Sequence, residues 1–213
     1  MKIPKSDPTQ NAATPVPVLD GADPLQIFSS WMDAAVEAEP ADANAMTLAT
    51  VDETGMPDSR MVLMKSADER GVVFYTNIGS RKGCHLTANP KASLSFHWKS
   101  LLRQIRIQGH VETVSDAEAD AYFKSRDRRS RIGAWASQQS QPLHGRLELE
   151  RRVAKFAAKY AIGEIPRPPF WSGYRVVPVR FEFWRNGAFR LHERLVFERA
   201  DPGQAWQKSR LYP

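Results

Sequence analysis

Short apolar runs joined by tight turn sequences recur along this chain, and they constrain its fold more than any other feature. The clearest turn sequences are Asp68-Glu69-Arg70-Gly71 and Asn186-Gly187. An Asn-Gly pair favours the type I′ turn of a two-residue hairpin, and strands joined by tight turns run antiparallel. The sequence therefore predicts a mainly β fold with peripheral helices, in which about seven antiparallel strands form a closed or nearly closed barrel.

Two of these strands, over residues 60–65 and 72–76, are predicted to pair as a hairpin. Ser80 follows as a predicted N-cap, so Arg81 and Lys82 fall in the first turn of a short helix. Cations at that end oppose the helix dipole, and a chain that places two of them there is expected to hold an anion.

The other predicted helices have a start signal or an apolar face. Asp23-Pro24 supplies an N-cap and a first helical residue, and Ser115-Asp-Ala-Glu118 has the spacing of a capping box. Helices are also expected over residues 132–136 and 145–160. The expected buried face of the first helix is Leu25, Phe28, Met32 and Val36.

The composition is that of an ordinary globular protein, with 42% hydrophobic and 25% charged residues among 213. Residues 1–22 are predicted to be a disordered tail, and residues 23–213 a single domain. No window approaches the roughly 18 apolar residues of a membrane span, and no secretory signal is visible. Cys84 is the only cysteine, which excludes an internal disulfide, and the expected compartment is the cytoplasm.

The chain has a net charge of +6, from 30 Lys and Arg against 24 Asp and Glu, and no long basic block. Basic residues spread singly and in pairs suit discrete anion sites better than a nucleic-acid track. Three groups stand out: Arg60, Lys65, Arg81 and Lys82; Tyr122, Arg126 and Ser130; and Arg190, His192 and Arg194 on one face of a predicted strand over residues 188–199. Two groups that each hold a phosphate suggest a phosphorylated cofactor beside a phosphorylated substrate.

Several familiar sites are missing from the sequence. It contains no Gly-rich dinucleotide fingerprint, P-loop or nucleophile elbow, and its histidines are not spaced for zinc. Cys84 beside His85 suggests a nucleophile, but a lone cysteine in a helix is more often a small core residue.

Four motifs in order make the chain resemble the pyridoxamine 5′-phosphate oxidase family. They are Arg60-Met-Val-Leu-Met-Lys65, Phe74-Tyr-Thr-Asn-Ile-Gly-Ser-Arg-Lys82, Ile132-Gly-Ala-Trp-Ala-Ser-Gln-Gln-Ser140 and Phe183-Trp-Arg-Asn-Gly-Ala-Phe-Arg-Leu-His-Glu-Arg194. The resemblance implies an antiparallel split β-barrel and a homodimer with FMN at its interface. It also implies oxidation of pyridoxamine 5′-phosphate or pyridoxine 5′-phosphate to pyridoxal 5′-phosphate, with O2 as acceptor, in vitamin B6 salvage.

The resemblance assigns site residues at matching positions. The implied FMN contacts are Arg60, Met61, Val62, Leu63, Met64, Lys65, Tyr75, Thr76, Arg81, Lys82, Gln104, Gln139, Ser140, Trp184 and Arg194, the last five expected largely from the partner subunit. The implied substrate-phosphate residues are Lys65, Tyr122, Arg126 and Ser130. Arg190 and His192, with Leu191 between them, would lie over the pyridine ring as the catalytic pair and assist loss of a proton from the amine or alcohol.

The chain departs from the family pattern before Asp23. Many members carry an Arg and a Tyr in that segment, which is thought to fold over the substrate, whereas neither residue precedes Asp23 here. We therefore assign no site residue to the segment. Asp127 also stands where the family commonly has Pro, although Arg126 and Ser130 are kept.

Three other functions compete with this interpretation. A phenazine-biosynthesis oxidase would share the barrel and the FMN site, but a substrate without phosphate has no use for Lys65, Arg126 and Ser130. A non-catalytic flavin or pyridoxal-phosphate carrier is disfavoured by the presence of Arg190 and His192. Nucleic-acid binding ranks last, because no stacked aromatic platform is apparent.

Overall fold

A computed structural model describes residues 19–39, 41–145 and 147–213. Its helices are α1 (Pro24–Ala38), α2 (Arg81–Ala88), α3 (Asp116–Ser125), α4 (Arg128–Ala136) and α5 (Glu148–Lys159). Its strands are β1 (Ala45–Val51), β2 (Pro57–Leu63), β3 (Ser66–Asp68), β4 (Gly71–Asn77), β5 (Lys91–Trp98), β6 (Arg103–Thr113), β7 (Trp171–Arg185), β8 (Glu193–Glu198) and β9 (Gln207–Arg210). A 3-10 turn at Ala188–Arg190 lies between β7 and β8.

The nine strands of the described chain form one sheet in the order β2-β1-β5-β6-β7-β4-β3, with β8 and β9 added beside β7. Every pairing is antiparallel. The long strand β7 organises the sheet, since its first half pairs with β4, its second half with β8, and β6 runs along its other edge. The prediction of an antiparallel β fold with peripheral helices is confirmed, with two more strands than expected.

The main core lies between this sheet and α1. Phe28 packs edge-on against Phe96 at a ring-centroid distance of 5.6 Å, and Trp31 packs against Phe183 at 5.5 Å. The N-cap prediction for α1 is confirmed, because the Asp23 carboxylate accepts a hydrogen bond from the Leu25 amide. Its predicted buried face was only partly right: the buried side chains are Pro24, Ile27, Phe28, Trp31 and Ala35, whereas Val36 is exposed. The buried face of α1 includes the large Trp31 ring, because aromatic side chains bury the most area.

The first predicted hairpin was wrong in its pairing. Residues of β2 pair with β1, with Arg60 opposite Leu48, and the short strand β3 is the partner of β4. The Asp68 carboxylate accepts hydrogen bonds from the amides of Arg70 and Gly71, which closes a tight turn. Gly71 has φ +139, which favours glycine. β3 is only three residues long, and the strand before it, β2, pairs with β1.

The second predicted hairpin was wrong in its loop. Arg185 pairs with Glu193, so residues 186–192 form a loop instead of the expected two-residue turn. Gly187 has φ −122, outside the type I′ conformation, and a Cβ there would lie 1.9 Å from the Leu191 carbonyl oxygen because the loop folds back over it. The predicted strand over residues 188–199 therefore starts late, and Arg190 and His192 do not lie on it.

The helices predicted after β6 are present with shifted ends. The capping box is confirmed, since Ser115 and Glu118 exchange hydrogen bonds at the start of α3. The segment predicted as residues 132–136 already begins at Arg128 in α4, where Asp127 accepts from the Arg129 amide as N-cap. The helix predicted over residues 145–160 is α5, whose Phe156 packs on Trp135 of α4.

Residues 1–18 of the predicted tail lie outside the described residues. The described end of that segment is packed: Leu19 is buried, and Lys208 donates hydrogen bonds to Asp20 and to the Gly21 carbonyl. The described residues 19–21 therefore pack against the body of the protein. None of the helices in the described part of the chain is long and apolar enough to cross a membrane.

Candidate functional site

A cavity of about 580 Å³ opens between β2, β4, α2 and α3. Its lining consists of Asp58, Ser59, Arg60, Met61, Val62, Leu63, Lys65, Tyr75, Thr76, Arg81, Lys82, Tyr122, Arg126, Gln139, Ser140 and Trp171. All of these except Asp58, Ser59 and Trp171 were assigned to the site from the sequence. Five of these side chains are cationic and only Asp58 is a carboxylate. The fold therefore gathers positive charge into one concave site, the arrangement that concentrates anions.

Arg60 is fixed at one end of the cavity by the strands beneath it. Its guanidinium donates to the Leu48 carbonyl at 3.1 Å, to the Thr50 hydroxyl at 2.7 Å and to Asp58 at 2.7 Å. Arg81, which is exposed, reaches the same carboxylate at 3.4 Å. Burial raises the pKa of Asp58, but the neighbouring Arg60 and Arg81 outweigh it, so the net pKa lies below its ordinary value. Asp58 is thus ionised and holds two arginines side by side.

Lys82 is the buried cation of this end. Its ammonium donates to Thr76 at 3.3 Å, to Ser80 at 3.2 Å and to the Gln139 side-chain oxygen at 3.1 Å, all neutral acceptors. Burial, followed by the positive charge of Arg60, lowers its pKa from the ordinary lysine value. A buried amine without an ion-pair partner among the described residues is a strong candidate for binding an anion.

The start of α2 lies at the same end. Ser80 occupies the predicted N-cap position, but its hydroxyl donates to the Asn77 carbonyl and does not cap the helix. No described side chain accepts from the first amides of α2, which therefore remain available to an anion. The helix sits close against the preceding loop, since a Cβ on Gly83 would lie 2.0 Å from the Ile78 carbonyl oxygen.

Aromatic rings form the other end of the cavity. Tyr75 stacks on Tyr122 at 4.0 Å and lies parallel to Trp171 at 5.3 Å. The Arg126 guanidinium lies over the Trp171 ring at 4.9 Å, and its Nη1 is buried without a hydrogen-bond partner in the described chain. Burial raises the pKa of Tyr75 and lowers that of Arg126. An unpaired buried donor of this kind needs an explanation, and an anionic ligand would supply one.

The other predicted residues of the first half divide between the cavity and its surroundings. Lys65 is exposed and lines the cavity. Met64 packs against the main core instead, and Ser130 is exposed in the first turn of α4 outside the lining. Gln139 and Ser140 line the cavity of their own chain, where Gln139 accepts from the Thr76 hydroxyl at 3.1 Å. The sequence interpretation had expected that pair largely from a partner.

The remaining predicted residues lie on other strands, outside this cavity. Gln104, Trp184 and Arg194 are cross-strand neighbours on β6, β7 and β8, so their side chains share one face of the sheet. The Arg194 guanidinium donates to the buried carboxylate of Glu182 at 2.6 Å. The structure therefore brings these three side chains together, outside the cavity.

The loop over residues 186–192 carries the predicted catalytic pair next to this row. The His192 ring packs on Trp184 at 4.8 Å, and its Nδ1 accepts from the Gly187 amide at 3.2 Å. Burial, and then the charge of Arg190, lower the pKa of His192. Arg190 has φ +64 and is exposed, as are Phe189 and Leu191.

Three lining residues, Asp58, Ser59 and Trp171, were missed from the sequence. Asp58 stands two positions before Arg60 on the same strand, so strand alternation could have found it. Trp171 follows the Pro-rich residues 165–170, and nothing local marks it as the first residue of β7. No group of three potential metal ligands occurs among the described residues.

Comparisons with known proteins agree with this geometry. A family model described as pyridoxamine 5′-phosphate oxidase matches residues 32–160, and one described as the pyridoxine 5′-phosphate oxidase C-terminal dimerisation region matches residues 171–213. The pyridoxine/pyridoxamine 5′-phosphate oxidase of Caulobacter vibrioides is 61% identical over 94% of this chain and 90% of its own. The protein with the same description from Azorhizobium caulinodans is 58% identical over 96% of both chains.

Two solved structures are similar over most of the chain. PhzG from Burkholderia lata, in complex with tetrahydrophenazine-1-carboxylic acid, is 33% identical with a TM-score of 0.85, covering 93% of this chain and 99% of its own. A pyridoxamine 5′-phosphate oxidase-related, FMN binding protein from Nostoc punctiforme has a TM-score of 0.69 at 18% identity, covering 87% and 97%, which is a likeness of fold. Both family models and these curated relatives show that the chain belongs to the pyridoxamine 5′-phosphate oxidase family.

Proposed function

We propose that this chain is an FMN-dependent oxidase that converts pyridoxamine 5′-phosphate and pyridoxine 5′-phosphate to pyridoxal 5′-phosphate. O2 would be the electron acceptor, giving H2O2 and, from the amine, ammonia. The observation that carries the proposal is a pair of cations in one cavity of about 580 Å³: Lys82, which is buried, and Arg126, which is half-buried with its Nη1 buried. Neither forms an ion pair within the described chain, so the cavity suits two separate anionic groups.

The Lys82 end fits the FMN phosphate. A phosphate is typically held by two or three charge-assisted donors, and Arg60, Arg81, Lys82 and the free amides of α2 supply them together. Tyr75, Thr76 and the strand residues from Met61 to Leu63 line the adjoining wall. When bound, FMN would supply the hydride acceptor of the reaction, and the protein contributes placement and charge.

The Arg126 end fits the phosphate of the substrate. Lys65, Tyr122 and Arg126 line that part of the cavity, while Ser130 lies outside the lining and is the weakest member of the assigned set. A clamp at one end of the substrate converts binding energy into orientation of the reacting carbon. A phenazine-type substrate without phosphate would leave the buried Arg126 donor unpaired, which favours the phosphorylated substrate.

Arg190 and His192 are assigned to the reacting end of the substrate. A backbone amide can only donate, so the His192 Nδ1 that accepts from Gly187 carries a lone pair, and the neutral ring holds its proton on Nε2. We therefore assign Nε2 the role of hydrogen-bond donor to the substrate, in place of the proton removal that the resemblance implies for His192. Arg190 then supplies positive charge beside it.

A second copy of the chain would complete the site. Trp184, Arg190, His192 and Arg194 fall within the residues matched by the dimerisation-region model, and none of them lines the cavity of its own chain. A homodimer that brings this region to the partner's cavity would unite the two sets. We place the enzyme in the cytoplasm, where its single cysteine needs no oxidising compartment.

The first test is an absorbance spectrum of the purified protein, followed by pyridoxamine 5′-phosphate without oxygen in the same cuvette. We expect a bound-flavin spectrum that bleaches on addition of substrate. A flavin that stays oxidised would contradict the substrate and favour a phenazine-type or non-catalytic protein. A protein that binds no flavin, even when FMN is added, would overturn the cofactor assignment.

A further inference from the structure

Arg126 differs from Arg175 and Arg194 in the groups that hold its guanidinium. Arg175 is buried among carboxylates, with Glu118 at 2.8 Å and Asp68 at 3.1 Å, and Arg194 binds Glu182. Arg126 has no carboxylate within ion-pair distance in the described chain. Its charge is therefore not already neutralised by the protein.

Aromatic faces take the place of the missing carboxylate. The Arg126 guanidinium carbon lies 4.9 Å from the Trp171 ring centroid and 5.7 Å from that of Phe123. Both distances are within the range in which a ring attracts a cation, about 6 Å. Phe123 meets Trp171 edge-on at 5.0 Å, so the two rings form one support.

Trp171 is itself rigidly placed. It is 6% exposed, its amide donates to the Pro168 carbonyl at 3.0 Å, and its carbonyl accepts from Arg167 at 2.8 Å. It also begins β7, opposite Asn77 of β4. Its ring lies parallel to Tyr122 at 6.1 Å, so it borders two of the residues assigned to the substrate phosphate.

We propose that Trp171 is a positioning residue that holds Arg126 by its ring face and so fits the cavity to substrates with a phosphate group. A carboxylate in its place would fix the arginine equally well but would neutralise the charge that a phosphate needs. The ring fixes the guanidinium and leaves its donors unpaired, as the buried Nη1 is. This inference rests on the proposed function, since it assumes that the anion at Arg126 is the substrate phosphate.

The test compares Trp171→Leu and Trp171→Phe at saturating FMN with pyridoxamine 5′-phosphate as substrate. We expect Trp171→Leu to raise KM at least fivefold with kcat within twofold. Trp171→Phe keeps a ring face and should raise KM only two- to threefold. In an Arg126→Ala background, Trp171→Leu should change KM less than twofold, because the group that it positions is gone.

Trp135→Leu is the matched control. Trp135 belongs to the same aromatic cluster but does not line the cavity, so its loss should leave KM within twofold of the wild type. An unchanged KM in Trp171→Leu, or an equal rise with and without Arg126, would overturn the inference and leave the proposed function intact. If Trp171→Leu does not fold, the same cycle with Trp171→Phe decides. A wild-type enzyme inactive on this substrate would overturn both proposals.

Discussion

Charged side chains are paired differently in the cavity and in the second region, which consists of the loop over residues 186–192 and the row of Gln104, Trp184 and Arg194. The cavity contains five cations and one carboxylate, Asp58, and neither Lys82 nor Arg126 has an ion-pair partner in the described chain. In the other region, Arg194 is tied to Glu182, a carboxylate only 2% exposed that also binds Arg106 and Arg180. Burial raises the pKa of Glu182, but hydrogen bonds from Arg194 and Arg180 outweigh it and the net pKa is lowered.

This difference in charge pairing indicates that the cavity binds anionic groups, whereas the second region positions side chains. Unpaired cations in a concave site are costly to the protein alone and useful to an anionic ligand. An arginine already paired with a buried carboxylate contributes shape and hydrogen bonds more than net charge. The cavity therefore suits phosphate groups. The row of Gln104, Trp184 and Arg194 suits a surface that contacts the ligand in the cavity of a second copy of the chain.

The two regions also differ in backbone conformation. The cavity residues lie mostly on regular strands and helices, and Ser140 is the one described lining residue with a positive φ, +71, whereas the adjacent loop residues Phe189 and Arg190 have φ +54 and +64. Residues other than glycine in this conformation cost of the order of 1–3 kcal/mol each and persist where their surroundings hold them. The loop is therefore the more conformationally demanding half of the proposed site.

The largest expected effect concerns the buried cation of the cavity. We expect Lys82→Met to weaken FMN binding about a hundredfold, because a buried charged hydrogen bond contributes up to about 3 kcal/mol. Titration of flavin-free protein with FMN, followed by flavin fluorescence, measures it. Lys91→Met removes an exposed lysine outside the cavity and is the control, expected to bind FMN as the wild type does. Equal affinities for both variants would exclude Lys82 from the phosphate site.

A variant in the loop should lower the rate of the reaction and leave FMN binding unchanged. We expect Arg190→Ala to lower kcat more than tenfold while FMN affinity stays within twofold, since Arg190 lies outside the cavity and bears on the reacting end. Steady-state rates and an FMN titration on the same preparation separate the two effects. Unchanged rates would remove Arg190 from the mechanism, and lost FMN would move it to the cofactor site.

Sequence patterns predicted the cavity better than the loop, for a physical reason. The start of α2 after Ser80 and the capping box at Ser115 were predicted from neighbouring residues, although the Ser80 hydroxyl does not cap its helix. The pairing of β2 with β1 was missed although it is local, because β2 has a neighbouring strand across the turn at Asp52–Met56 as well as one toward the turn at Asp68–Gly71. Asn186-Gly187 has a local turn preference that the fold overrides, because Gly187 is required for close approach to Leu191.

A site assigned by family motif also depends on tertiary structure that the motif does not contain. Residues from Arg60 to Lys82 are near in sequence and meet in one chain's cavity. Gln104, Trp184 and Arg194 are far apart in sequence, and only the register of three strands aligns them. Trp171 lacks any local signal, because its role comes from Arg126, which lies on another element.

Loss of Arg126 should weaken substrate binding more than FMN binding. We expect Arg126→Ala to raise KM for pyridoxamine 5′-phosphate about tenfold, near the lower end of the roughly 1.5–3 kcal/mol of a charged contact, because Lys65 and Tyr122 remain. FMN affinity should stay within twofold. Initial rates across substrate concentrations measure the change, and an unaltered KM would refute the placement of the substrate phosphate at Arg126.

The smallest expected effect is the pH dependence of the loop. The lowered pKa keeps His192 neutral at pH 7, so its Nδ1 can accept from Gly187. The unfolded chain binds this proton more readily, so folding stability falls as pH drops below about 6.5 and is unaffected above it. Protonation would place an N–H against the Gly187 amide, and we expect kcat/KM to fall about two- to threefold from pH 6.5 to 5.5. In His192→Asn the side-chain oxygen keeps the acceptor without titrating, so this fall should disappear from the pH profile; a fall of equal size in both proteins would assign it to another group.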